Sequence, residues 1–245
     1  ITGIGGTGVL TIGAILGRAA QSVGKGVTGR DQTGMAQKGG AVLSHLRIGE
    51  TPESITAPRL GQGMADVIVG CDLVVTAGME AMKTVSAGKT AAVVNSHMVP
   101  TAQFQSNAKI DLGGEFQKAM VANTVGAGRV DFVDATTLAT ELLGDSIATN
   151  LFMVGYACQK GRLPLSPESI EKAIELNGVA VSANLHTFRW GRLTAHDPLA
   201  VEAVVAAISG VQHEVKTRTL DELIVHREAF REAYQDRTYS GRYLA

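Results

Sequence analysis

Aromatic side chains and cysteines are scarce in this chain: one Trp, four Tyr, six Phe and two Cys among 245 residues. Cys71 and Cys158 lie far apart in the sequence. Two thiols make no disulfide framework, and they cannot supply the four ligands of an iron–sulfur cluster. Both are expected to be small buried hydrophobes. Excess positive charge is also missing, because 22 Lys and Arg stand against 23 Asp and Glu. That balance excludes an electrostatic footprint for nucleic acid or for an anionic membrane surface. No apolar run reaches the ~20 residues of a membrane span, and no secretory signal is visible. The reading is therefore a cytoplasmic chain. None of the six His has clustering partners that point to a metal site.

Glycine is abundant instead, at 29 residues, in a chain that is 45% hydrophobic. A glycine-rich, Ala/Val-rich and aromatic-poor composition fits close-packed α/β layers better than an all-β sandwich. Apolar residues at helical spacing from Leu10 to Val23 predict a helix, ended by Gly24 and Gly26. Alternation over 41–49 predicts a strand, and short apolar runs at 65–72, 90–96 and 129–134 predict buried strands. Residues 73–88 and 135–144 read as helices, and from 148 onward the chain reads as almost wholly helical. Ser166 before Pro167 marks one helix start and His196-Asp197-Pro198 another, while Thr149-Asn150 read as caps. Alternating strands and helices predict an α/β fold: a Rossmann-like, mostly parallel sheet flanked by helices, with a helical C-terminal part. The charged tail from 213 differs in composition. The expected division is a domain over 1–212 and a helical extension over 213–245. The glycine turn starts almost at residue 1, so the first strand reads as cut short, and the chain as a possible segment of a longer polypeptide.

The opening "ITGIGGTGVL" contains Gly3-x-Gly5-x-x-Gly8, with Gly6 and Thr7 between. Such a turn brings backbone amides and a helix dipole to one point, which favours an anion. Gly5 to Gly8 are expected to carry free N–H groups, with the Thr7 hydroxyl beside them. The residues alone leave two readings open, a phosphate-type ligand or a purely structural turn. A dinucleotide site asks in addition for an acidic residue ending the second strand. The stretch there, Thr28-Gly29-Arg30-Asp31, reads as no clean strand end.

A second glycine block, "TGMAQKGGAVLSHLRIG", spans residues 33–49. It sets Gln37 and Lys38 before Gly39 and Gly40, directly ahead of the strand that carries His45 and Arg47. With the opening glycines, "ADVIVGCD" and "TAAVVNS", this order of motifs resembles the gamma-type domain of the 2-oxoacid:ferredoxin oxidoreductases, the indolepyruvate branch most of all. The family pattern reads Gly-Met-x-Gln-Arg-Gly-Gly. It is matched by Gly34, Met35, Gln37, Gly39 and Gly40, with Val42, His45, Arg47 and Gly49 following. The likeness covers about residues 1–210. Lys38 stands where the family usually has Arg, which keeps the charge and loses the bidentate fork. Thr33 stands where an aromatic residue or His is common.

The resemblance implies a component of an enzyme that oxidatively decarboxylates a 2-oxoacid, indolepyruvate or another arylpyruvate, to an acyl-CoA while reducing ferredoxin. Thiamine diphosphate and 4Fe-4S clusters would be held by partner chains or domains. This domain would contribute contacts to coenzyme A and to the subunit interface of an assembled dimer. No catalytic residue is assigned to it. The residues that would meet an anionic part of coenzyme A are Gly3, Gly5, Gly6, Thr7, Gly8, Gln37, Lys38, Gly39, Gly40 and Arg47. Two other classes stand beside this one, a stand-alone NAD(P)-binding reductase and a ligand-free assembly module.

Overall fold

In the computed structural model, the described residues are 1–33, 39–55, 57–98, 114–210, 220, 222–225, 227–228 and 235–236. The chain divides into two compact units, Ile1–Ile208 and Ser209–Ala245. In the second unit the described residues 222–225 are helical, and Leu220, Leu223 and Val225 are exposed. The boundary expected at 212/213 falls outside the described residues.

The first unit is built on six strands: β1 (Thr2–Ile4), β2 (Gly26–Thr33), β3 (Ala41–Gly49), β4 (Val67–Gly70), β5 (Ala91–Asn95) and β6 (Val130–Val133). Their order across the sheet is β2-β3-β1-β4-β5-β6. β1, β4, β5 and β6 run parallel, while β3 is antiparallel to both β1 and β2. The parallel strands are short and apolar, as expected where helices cover both faces. The strand β2 was not legible in Thr28-Gly29-Arg30. It is a polar hairpin partner of β3 whose last five residues are exposed, so it shows no apolar alternation.

One face of the sheet is covered by α1 (Val9–Ser22), α5 (Ala135–Leu143), α6 (Thr149–Gln159), α7 (Pro167–Asn177) and α8 (Val181–His196), whose apolar sides share one core with Val69 and Val93. On the other face α2 (Leu73–Ala77) and α4 (Glu115–Val125) pack Leu73, Ala77, Val121 and Val125 against Ile68, Ala92 and Val94. The helix expected over 73–88 is two short ones, α2 and α3 (Met79–Met82), because the Gly78 backbone between them is extended. Gly26 does not end α1. It opens β2, where a Cβ would collide with the Thr51 backbone. Helix α9 (Pro198–Gly210) begins where expected, and Asp197 Oδ1 accepts from the Ala200 N–H at 3.0 Å.

The centre of the helical layer is α6, whose residues 149–158 are all buried. It meets α8 backbone to backbone. A Cβ on Gly155 would overlap the Phe188 carbonyl, and one on Gly191 would overlap the Phe152 carbonyl. Phe152 and Phe188 are themselves fully buried beside this contact, each contributing roughly 1.5–3 kcal/mol by burial.

Candidate functional site

The helix after β1 leaves on one face of the sheet and the helix after β4 on the other. The two strands are neighbours, so the topological switch point lies between their carboxyl ends, where open α/β sheets bind ligands. The glycine turn between β1 and α1 is one wall of this crevice, and Cys71-Asp72 at the end of β4 is the other.

Gly3 is required by close packing, since a Cβ there would run into the Val9 side chain. Gly6 and Gly8 have φ of 89° and 94°, a left-handed backbone that a side chain would strain. Gly8 is the N-cap of α1, a helix with no capping side chain and no acidic residue in its first turn. The positive end of its dipole therefore has no anionic group of this helix to meet it. Among the described residues the N–H groups of Gly6, Gly8, Val9 and Leu10 have no acceptor. The expectation of free amides from Gly5 to Gly8 is corrected at two positions. Gly5 N–H donates to Gly40 O at 2.7 Å and Thr7 N–H to Ile4 O at 3.4 Å.

The bond from Gly5 to Gly40 joins the two glycine blocks. In the register of β1 with β3, Ile4 lies opposite Ala41 and Gly3 opposite Val42, so Gly39 and Gly40 arrive at the glycine turn. Gln37 and Lys38 lie outside the described residues. Arg47 is not brought to this site. It stands at the other end of β3, roughly 24 Å along the strand from Gly40 at ~3.4 Å per residue. There its Nη2 donates to Arg59 O at 3.2 Å.

The residue missed by sequence reasoning is Asn150. Thr149 and Asn150 are not caps but the first two residues of α6. Asn150 Nδ2 donates to Thr7 O at 2.6 Å and reaches Thr7 Oγ1 at 3.3 Å, a contact across 143 residues of chain. This fixes the tip of the turn on the buried helix and occupies the carbonyl that would otherwise repel an anion. A polar residue near the start of a wholly apolar helix was the one available signal. Its partner could not be read from spacing.

The rest of the carboxyl edge is held by Asn95, which is 3% exposed. Its Nδ2 donates to Cys71 O at 3.0 Å and to Thr136 Oγ1 at 2.9 Å. Its Oδ1 accepts from Ala135 N–H at 3.1 Å and His97 N–H at 3.2 Å. One side chain thus ties the ends of β4 and β5 to the start of α5. Asp72 turns its carboxylate into α2 and accepts from Val75 N–H at 2.8 Å. Burial raises its pKa, and the Val75 and Val74 amides oppose that rise. Burial pushes the Cys71 thiol up to about 12, so it is not a nucleophile at neutral pH.

His45 on β3 is buried, and its Nδ1 accepts from Leu60 N–H at 2.9 Å. Burial first, then the Ile1 amine, Arg59, Arg30 and Arg47, lower its pKa. The unfolded chain then binds a proton that the folded chain refuses, so stability is present above the ordinary histidine range and is lost as pH falls below about 6.5. The Leu60 bond lost on protonation is worth about 1 kcal/mol. Urea midpoints measured at pH 7.5 and 5.5 are expected to separate more for the native chain than for His45→Asn. Equal separations would refute the assignment.

Comparison with known proteins decides the family. Residues 1–193 match the family described as pyruvate ferredoxin/flavodoxin oxidoreductase. The chain belongs to that family. It is 30% identical over 205 residues to indolepyruvate oxidoreductase subunit IorB of Thermococcus kodakarensis, covering 82% of this chain and 96% of that one. Its fold is that of the keto/oxoacid ferredoxin oxidoreductase gamma subunit of Geobacter sulfurreducens, at a TM-score of 0.55 and 19% identity over 80% of this chain and 95% of that one. It is also that of part of the 2-oxoglutarate:ferredoxin oxidoreductase of Magnetococcus marinus, solved with 2-oxoglutarate, coenzyme A and succinyl-CoA bound. There the TM-score is 0.56 and the identity 16%, over 80% of this chain and 30% of that much longer one. The family read from the glycine motifs is the family matched, and the α/β fold expected from them is the fold observed.

Proposed function

We propose that this chain is the gamma-type component of a 2-oxoacid:ferredoxin oxidoreductase acting on indolepyruvate or another arylpyruvate, and that its glycine turn receives an anionic group of coenzyme A. The observation that carries the site is the uncapped N-terminus of α1 at the switch point, with the amides of Gly6, Gly8, Val9 and Leu10 open and the turn held by Gly40 and Asn150. The name of the Thermococcus kodakarensis relative supports the substrate class.

In this reading the chain binds and orients. The Gly6 and Gly8 amides donate to phosphate oxygens, while the Thr7 hydroxyl donates to Ile4 O at 2.8 Å and steadies the turn, and Gly39 and Gly40 let the second backbone approach. Gln37 and Lys38 add polar and positive contacts from the preceding segment. Arg47, placed at the far end of β3, has no part in it. Thiamine diphosphate would supply decarboxylation and 4Fe-4S clusters the electron path to ferredoxin, both held by partner chains. Among the described residues no three His, Cys, Asp or Glu side chains converge as a metal site.

The alternative dinucleotide reading lacks its second contact. The neighbours of β1 are β3 and β4, and Asp31 sits one strand further out on the exposed β2. The test is reconstitution of the complex purified with its partner chains. Indolepyruvate-dependent reduction of a viologen dye should require coenzyme A. Lys38→Ala should raise the KM for coenzyme A about tenfold, the worth of one charge-assisted contact, with kcat retained. Activity independent of coenzyme A, or an unchanged KM, would contradict the proposal.

A further inference from the structure

A cavity of about 410 Å³ lies over the β2–β3 hairpin and shares no residue with the glycine turn. The antiparallel register makes its floor. Arg30 lies opposite His45 and Gln32 opposite Leu43, so these four side chains share one face of the sheet. Leu46 and Ile48 turn to the opposite face, toward the main core. Gln32, Leu43 and His45 line the cavity from the strands. Arg59 and Leu60 line it from the loop ahead of β4, and Glu80 and Lys83 from α3 and its C-terminal end.

Hydrogen bonds hold the walls in place. Leu60 N–H donates to His45 Nδ1 at 2.9 Å and Arg47 Nη2 to Arg59 O at 3.2 Å, which pins residues 59 and 60 onto β3. Gly63 N–H donates to Lys83 O and Ala65 N–H to Thr84 O, both at 2.9 Å, which ties the far end of that loop to the end of α3. The polar groups left over are donors. His45 is 8% exposed, and because its Nδ1 accepts, the neutral ring carries its proton on Nε2. Among the described residues that N–H has no acceptor, and the guanidinium groups of Arg30 and Arg59 have neither an ion pair nor a hydrogen bond. Glu80, the carboxylate in the lining, is taken by Lys83 at 2.8 Å. Arg59, Arg30 and Arg47 are all close enough to act electrostatically on the His45 ring. A buried polar group of this kind needs a partner, and here the partner must accept hydrogen bonds and carry negative charge.

We infer that this cavity is a binding site for a small organic carboxylate, its apolar body resting on Leu43 and Leu60 and its carboxylate held by the Arg59 guanidinium and the His45 Nε2–H. A carboxylate only accepts hydrogen bonds, and its two oxygens match the planar fork of arginine. Gln32 and Gln62 stand beside them in the lining with further amide donors. The volume is that of a small-molecule site and exceeds what a bare inorganic anion fills, so the leucines have a body to cover. A neutral ligand of the same shape would leave the charge of Arg30 and Arg59 unanswered. Binding here is separate from the binding of coenzyme A at the glycine turn.

The test is a residue-resolved NMR titration of the 245-residue chain with benzoate, with its neutral counterpart benzamide, and with inorganic phosphate. Benzoate should move the Gln32, Leu43 and Leu60 amide resonances and the His45 Nε2 resonance saturably. Benzamide and phosphate should each bind at least about tenfold more weakly, the first for want of the charge and the second for want of the apolar body. Arg59→Gln should weaken benzoate by a similar factor. Arg59 is exposed, so its replacement should leave the fold in place. Lys172→Gln, which removes an exposed cation from α7, should change nothing. Benzoate that causes no saturable shift at these residues would overturn the inference. So would benzamide or phosphate binding as tightly as benzoate, or an affinity that Arg59→Gln leaves unchanged.

Discussion

Gly155→Ala is expected to destabilise the first unit by more than about 3 kcal/mol, although alanine is the better helix former. The new methyl would occupy the place of the Phe188 carbonyl oxygen, which belongs to the backbone and has no rotamer to escape into. α6 and α8 would have to separate, and the packing of Phe152 and Phe188 would loosen with them. Overpacking of this kind costs ~1–3 kcal/mol where side chains can yield, and more where only backbone can. Gly191→Ala, the reciprocal contact at the Phe152 carbonyl, should behave alike, and the two effects should not add because one gap serves both. Gly17→Ala in α1 gives the opposite sign. Its methyl would meet only Val27 Cγ2, at an ordinary 3.8 Å, so the helix should gain about 0.5–1 kcal/mol. Urea unfolding of the three variants checks the set. A neutral Gly155→Ala would mean that the helices do not approach as described.

Gly8→Ala should leave the fold in place and weaken coenzyme A binding by about 10- to 100-fold. The φ of 94° at Gly8 strains any L residue by about 1–3 kcal/mol, and relief of that strain turns the Gly8 and Val9 amides away from the ligand. Loss of one charge-assisted hydrogen bond, worth about 1.5–3 kcal/mol, gives the same range. Asn150 separates geometry from charge. Asn150→Ala frees the Thr7 carbonyl, whereas Asn150→Asp also sets a negative charge beside it. Asn150→Asp should therefore bind coenzyme A more weakly than Asn150→Ala, and the gap between them should shrink as salt is added. Equal affinities for the native chain and Gly8→Ala, by calorimetry, would remove the glycine turn from the site.

Much of this was readable before the structure because it rests on local patterns. The glycine turn, the α1 helix, the apolar parallel strands and the Ser166–Pro167 helix start each lie within a few consecutive residues. The meeting of the two glycine blocks followed from a resemblance, and the register of β1 with β3 gives it a physical cause. What stayed hidden was set by distant contacts or by exposure. β2 hides because its outer residues face solvent and carry no pattern. Arg47 looked close to Lys38 in sequence, but an antiparallel strand carries it to the far end of the sheet. Asn150 finds its partner 143 residues away. The helix over 73–88 breaks at Gly78, a residue that helical periodicity alone tolerates.

The most direct test of the account is calorimetric titration of the chain with coenzyme A, and separately with NADH and NADPH. The account predicts saturable heat with coenzyme A that is lost in Gly8→Ala, and none with either nicotinamide dinucleotide. Binding of NADH or NADPH without coenzyme A would make the glycine turn a dinucleotide site, and silence from all three would leave it a structural bend.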